Sequence, residues 1–101
     1  MISLQQAVAA TGAQCTYTGA LEFTGVSTDS RTVQQGQLFV ALSGEKFDGH
    51  AYVAKAVALG AAGVVVSKPV TVPSTVAVLT VADTLKAYQD LAHAYRQSFK
   101  K

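Results

Sequence analysis

The chain has 101 residues, half of them hydrophobic, and a formal net charge of +2; such a length holds one domain and buries roughly two-thirds of its unfolded surface without staples. Cys15 is the single cysteine, which excludes an internal disulfide and a cysteine-based metal site and fits a small residue in a reducing cytosol. Much of the positive excess sits at Arg96, Lys100 and Lys101, Trp is absent and the other basic residues are scattered, so the basic, aromatic-laced stripe of a nucleic-acid binder is missing.

In chain order, Ser3 and Gln6 are spaced as a capping box, and Leu4, Ala7 and Val8 give a first helix one apolar face. Gly12 is its stop signal. "AQCTYTG" is partly β-branched and aromatic and predicts a strand ending at Gly19. "LEFTGVS" predicts another short strand, interrupted at Gly25. "TDSRTVQQGQ" has the composition of a loop, with turn chemistry in "QQGQ".

"LFVAL" is a short apolar run bounded by turn signals, the pattern of a buried strand. From His50 to Leu59 the residues Val53, Ala56 and Val57 recur at helical spacing, and Gly60 marks the stop. "GVVVS" predicts a second buried strand, so residues 38–67 read as a strand–loop–helix–strand unit with parallel strands and a right-handed crossover. "KPVTVPST" is a connector, since its prolines do not suit a central strand, and "VAVLTV" is a third apolar strand. Asp83 is an N-cap for a last helix, in which Leu85, Tyr88, Ala92, Tyr95 and Phe99 are expected along one packed face and His93 at the surface. That helix runs into "KK" with no capping glycine, the pattern of a piece of a longer chain. The fold class is α/β, a small mixed or parallel sheet with flanking helices. No apolar stretch approaches the roughly 20 residues of a bilayer span. "MISLQQAVAATG" lacks the basic start and long apolar run of a secretory signal. A cytoplasmic protein with no membrane partner is expected.

Two polar loops carry the candidate chemistry, because ligands of α/β proteins settle at loops on the ends of parallel strands. In "SGEKFDGHA", Gly44 and Gly49 have the spacing of a phosphate-binding P-loop in a strand–loop–helix setting. His50 stands where that loop's lysine belongs, and Ala51 where its magnesium-binding Ser or Thr belongs, so ATP hydrolysis here is not expected. A helix start still favours an anion, while Glu45 and Asp48 would repel one unless they point away or meet Lys46. Spacing alone leaves a tight turn and a ligand loop both open. In the other loop, Arg31 offers a planar fork for phosphate or carboxylate, and Ser30 and Thr28 offer hydroxyls. The alternative is an Asp29–Arg31 ion pair or Asx-turn that only shapes the loop. His50, a lone histidine at a helix start, is read first as structural, and no three spaced ligands assemble into a zinc site.

Read together, "STDSRTVQQGQLFVALSGEKFDGHAYVAKAVALGAAGVVVS" resembles the N-terminal domain of the Mur ligases of cytoplasmic peptidoglycan synthesis. The shared pattern is Asp-Ser-Arg, a Gly-Gln-Leu-Phe-Val-Ala-Leu strand entry, Gly then Asp-Gly-His, and an Ala-rich helix ending Gly-Ala. Gln35 replaces the usual proline of the turn, a departure that bears on the bend alone. The likeness is strong over residues 25 to 67. "GEKFDGHAY" and "VADTLKAYQDLAHAYRQSF" are more similar to the member adding D-alanyl-D-alanine than to the one adding the third amino acid.

The resemblance implies a three-domain, ATP- and magnesium-dependent amide ligase in which residues 1–82 bind the UDP end of a UDP-N-acetylmuramoyl-peptide. Residues 83–101 would form a helix leading toward a central ATPase domain, with a C-terminal domain beyond and D-alanyl-D-alanine as the incoming amine. No catalytic residue, metal or cofactor is expected in this chain itself. The matched positions implied to bind the nucleotide are Thr28, Ser30, Glu45, Lys46 and Phe47, with Arg31 as the direct phosphate candidate. Asp29, Gly44, Asp48, Gly49 and His50 would shape the loops. Two rival readings are a stand-alone nucleotide-sugar binding module and a docking domain whose loops only turn the chain.

Overall fold

The computed structural model describes residues 2–15, 17, 21–42 and 49–97. Its elements are β1 (Ile2–Ser3), α1 (Leu4–Thr11), β2 (Glu22–Phe23), β3 (Val26–Ser27), β4 (Leu38–Val40), a 3-10 turn (Gly49–Tyr52), α2 (Val53–Ala58), β5 (Gly63–Val66), β6 (Ala77–Thr80) and α3 (Thr84–Gln97). β3, β4, β5 and β6 lie side by side in that order, each pair parallel, while β1 and β2 form a separate antiparallel pair.

Successive residues of a strand point to opposite faces, and both faces of this sheet are covered. Leu38, Val40, Val65, Ala77 and Leu79 join Leu4 and Ala7 of α1 and Ala87 and Leu91 of α3 in one core. The intervening Phe39, Ala41, Val64 and Val66 pack with Val53 and Ala56 of α2 in the other. Burial on both sides is why "LFV" and "GVVV" are continuous apolar runs rather than alternating ones.

The local signals act as expected at most element ends. Ser3 Oγ accepts from the Gln6 N–H at 3.1 Å and Gln6 Oε1 accepts from the Ser3 N–H at 2.9 Å, closing the capping box. The Gly12 N–H donates to the Val8 carbonyl. Asp83 Oδ1 accepts from the N–H groups of Leu85 and Lys86, capping α3. Gly60 ends the α2 segment at φ +106, and a Cβ there would stand 2.9 Å from the Gln35 Cα. Only glycine meets both demands.

Four expectations are corrected. "AQCTYTG" is not a continuous strand: Gln14 makes an isolated antiparallel bridge to Thr80 and Cys15 and Tyr17 are not in a strand, while residues 16, 18 and 19 lie outside the described residues. "LEFTGVS" is two strands in two sheets, because the chain changes partner at Thr24 and Gly25. The 50–59 helix begins as a 3-10 turn and becomes α-helical at Val53.

On α3 the buried stripe is Thr84, Ala87 and Leu91, not the expected one. Leu85 is 53% exposed and Tyr88 only half-buried. Thr84, the first helical residue after the Asp83 cap, faces inward, and the next position, Leu85, faces solvent. Ala92 is half-buried and His93 exposed; the Tyr95 side chain and Phe99 lie outside the described part of the chain.

Leu91→Ala removes a fully buried side chain and should cost about 2–5 kcal/mol in urea unfolding, whereas Leu85→Ala should stay within about 0.5 kcal/mol. Gly63→Ala places a Cβ 2.8 Å from Phe23 Cε1 and 3.1 Å from Leu38 Cδ1. It should destabilise by about 1–3 kcal/mol through overpacking, seen as a lower melting temperature.

Candidate functional site

The site is built on the turn after β3. In the parallel register Ser27 lies beside Phe39, so the chain leaves β3 directly next to the middle of β4. Ser27 Oγ donates to the Asp29 carbonyl and accepts from the Asp29 N–H, both at 3.2 Å. Asp29 then organises the rest of the turn. Its Oδ1 accepts from the Arg31 N–H at 2.9 Å, the Asx-turn geometry, and its carbonyl accepts from the Thr32 N–H at 3.2 Å.

The Arg31 side chain folds back onto the same carboxylate. Its Nε donates to Oδ1 and its Nη2 to Oδ2, each at 3.1 Å. Both partners are solvated, Arg31 at 78% of its side-chain surface, so the pair adds geometry more than stability. The Arg31 side-chain bonds hold the Asp29 carboxyl below its ordinary 3.8, helped by the Arg31 N–H and by the charges of Arg31 and Lys55 against a small opposing effect of burial. The same pairing raises Arg31.

Between this turn and α2 lies a cavity of about 520 Å³ lined by Thr28, Asp29, Ser30, Arg31, Phe39, Tyr52 and Lys55. Ser30, only 7% exposed, is one of two buried polar residues among those described. Tyr52 is 43% exposed, and Lys55 projects from the solvated side of a helix whose Val53 and Ala56 are buried. The lining thus combines hydroxyls, two cations, one carboxylate and two aromatic rings.

The structure therefore brings Thr28, Asp29, Ser30 and Arg31 together at one cavity. Gly49 and His50 open the 3-10 turn, and Gly44, Glu45, Lys46, Phe47 and Asp48 lie outside the described residues. The Asp29–Arg31 alternative holds as an ion pair and an Asx-turn at once. Phe39, Tyr52 and Lys55 were missed by sequence reasoning. Tyr52 and Lys55 had a weak signal, since they sit three apart, the spacing of neighbours on one helix face. Phe39 had none beyond its place in an apolar run.

The Asp29 pairing makes a pH prediction. A depressed carboxyl contributes to loop order above its ordinary value and loses that contribution as pH falls through its folded-state value. Carbon-detected NMR titration should place the Asp29 midpoint below 3.8. Arg31→Met should raise it while leaving it depressed, because the backbone N–H bond survives. A wild-type midpoint at the ordinary value would remove the pair.

Comparison with known proteins identifies the family. A family model described as "Mur ligase family, catalytic domain" matches residues 22–96. The chain is 44% identical over 80 residues to a UDP-N-acetylmuramoyl-tripeptide–D-alanyl-D-alanine ligase of Synechocystis, covering 78% of this chain and 18% of that protein. It is 49% identical over 74 residues to the Bacillus subtilis ligase of the same name, covering 72% and 16%. A crystal structure of MurF from Acinetobacter baumannii superposes with a TM-score of 0.84 at 34% identity, over 96% of this chain and 21% of that one. The chain thus spans about a fifth of these relatives' length. Family match, sequence likeness and superposition agree: this chain belongs to the Mur ligase family.

Proposed function

We propose that the chain is the nucleotide-anchoring domain of a ligase that joins D-alanyl-D-alanine to the UDP-N-acetylmuramoyl tripeptide in peptidoglycan synthesis. The UDP end of that substrate occupies the cavity between the 28–32 turn and α2. The observation that carries the reading is the convergence of Thr28, Ser30, Arg31, Phe39, Tyr52 and Lys55 on one cavity in a chain of this family. Its volume falls in the roughly 300–1,000 Å³ range of small-molecule sites. Hydroxyls and turn amides suit uracil edges or phosphate oxygens, and the excess of one cation over the Asp29–Arg31 pair favours an anion. Glu45, Lys46 and Phe47 complete the proposed set, with Gly44, Asp48, Gly49 and His50 shaping their loop.

In the whole ligase, ATP supplies the phosphoryl group that activates the peptide carboxylate, and magnesium neutralises phosphate charge. The residues here do not fit those groups. His50 and Ala51 stand where a P-loop has Lys and Ser or Thr, and among the described residues no three His, Cys, Asp or Glu side chains could hold a metal ion. The chain's own work is to hold the nucleotide far from the reacting carboxylate. Remote binding of this kind lowers a barrier by orienting the substrate. The other partners in this reading are the central and C-terminal domains of the same ligase. No helix among the described residues is long and apolar enough to cross a membrane, and the proposed setting is the bacterial cytoplasm.

Amide NMR titration with UDP tests the reading. Shifts should concentrate at Thr28–Arg31 and Tyr52–Lys55, and Ser30→Ala should weaken UDP binding roughly tenfold by removing a shielded hydrogen-bonding group. Unmoved amides at these positions with millimolar UDP would leave the docking reading in its place.

A further inference from the structure

Two cations line the cavity, and they are not equivalent. Arg31 is the one that residue chemistry favours for phosphate, because a guanidinium fork matches an anion's oxygens. In the folded chain one edge of that guanidinium, two of its five N–H donors, is already engaged. Nε and Nη2 hold the two oxygens of Asp29, and the Arg31 N–H holds one of them again. An anion approaching those donors would meet the Asp29 carboxylate first, and one at the outer edge would meet a guanidinium whose charge that carboxylate already offsets.

Lys55 is placed differently. It stands across the cavity on α2, and among the described residues no carboxylate forms an ion pair with it. Its backbone is fixed, because Val53 and Ala56 on the same helix are buried at 3% and 0% exposure. It lines the same cavity as the Asp29 turn, so a phosphate held between turn and helix lies within reach of its field. With Asp29 and Arg31 neutralising each other, Lys55 leaves the described lining with a net charge of +1. An ammonium on a flexible stem also tolerates the several geometries a diphosphate presents.

We propose that Lys55 supplies the cationic contact to the diphosphate of the ligand, and that Arg31 is a positioning residue that keeps the Asp29 turn in its binding shape. This assignment rests on the nucleotide reading above and deepens it. It divides the cavity into a turn that recognises by hydrogen bonding and a helix that recognises by charge.

The test compares UDP with uridine, which lacks the phosphates, on the wild-type chain and on Lys55→Met, Lys55→Glu and Arg31→Met. Wild-type affinity for UDP should fall as salt rises, since exposed charges are screened. Lys55→Met should weaken UDP binding roughly tenfold, flatten the salt dependence and leave uridine binding unchanged. Lys55→Glu should weaken UDP further. Arg31→Met should weaken uridine as well as UDP, UDP the more because the Asp29 carboxylate loses its partner, and should move the amides of residues 29–32 before any ligand is added. Lys55 is exposed, so each Lys55 variant should melt with the wild type, and a melting scan checks this.

If UDP shifts the cavity amides and Lys55→Met binds it as tightly as wild type, the Lys55 assignment is wrong and the nucleotide site survives. An equal loss for uridine and UDP in Lys55→Met would likewise refute a charge-specific role. If UDP moves no cavity amide in the wild-type chain, the nucleotide reading itself fails and takes this assignment with it.

Discussion

The parallel pairing of β4 with β5, buried on both faces, is the constraint on which the other elements depend. Leu38 faces Gly63, Phe39 faces Val64 and Val40 faces Val65, and each of these residues except Gly63 contributes a side chain to one of the two cores. A slip of one residue would exchange the faces and set Phe39 among residues that pack Leu38. Gly63 makes the register tighter still, because the Phe23 ring occupies the space a side chain would need. The antiparallel β1–β2 pair is tied to the parallel sheet through Ile2 and Phe23, which share its core, and α1 and α3 close over the same core.

Fixing that register also fixes the cavity. Ser27 is held beside Phe39, the turn begins at Thr28, and Asp29 directs the next three residues with one carboxylate and one carbonyl. On the other side, α2 is set at its height over the sheet by Val53 and Ala56. Neither wall was selected by local sequence alone. Their separation is a product of packing, which is why the polar groups of residues 28–31 and the cation at position 55 face a common space.

Sequence reading was reliable where one short stretch contained the whole cause. Ser3 with Gln6, Asp83 before α3, and the apolar runs of β4 and β5 are signals of that kind. It was less reliable where the cause lay elsewhere in the chain. The Gln14–Thr80 bridge joins residues far apart in sequence, so "AQCTYTG" held no cue that among its described residues Gln14 alone would pair. On α3, a period counted on hydrophobic residues passed over Thr84, whose burial begins the packed stripe. The same limit applies at the cavity. The Asp-Ser-Arg turn was legible as a candidate, but Tyr52 and Lys55 belong to it only through the fold, and the engagement of Arg31 by Asp29 was legible only as one of two alternatives. The loop at 44–48 lies outside the described residues, so its part in the site rests on resemblance.

The close approach of Gly60 to Gln35 joins the two walls of the cavity at their far ends. The Gly36 N–H donates to the Gly60 carbonyl at 2.8 Å, and the Ala62 N–H donates to the Gln37 carbonyl at 2.8 Å, so the segment returning from the turn is clasped to the segment leaving α2. Turn and helix are thereby joined behind the cavity like the two jaws of a clamp. A change at the clasp would open or narrow the jaws without altering a single side chain that lines them.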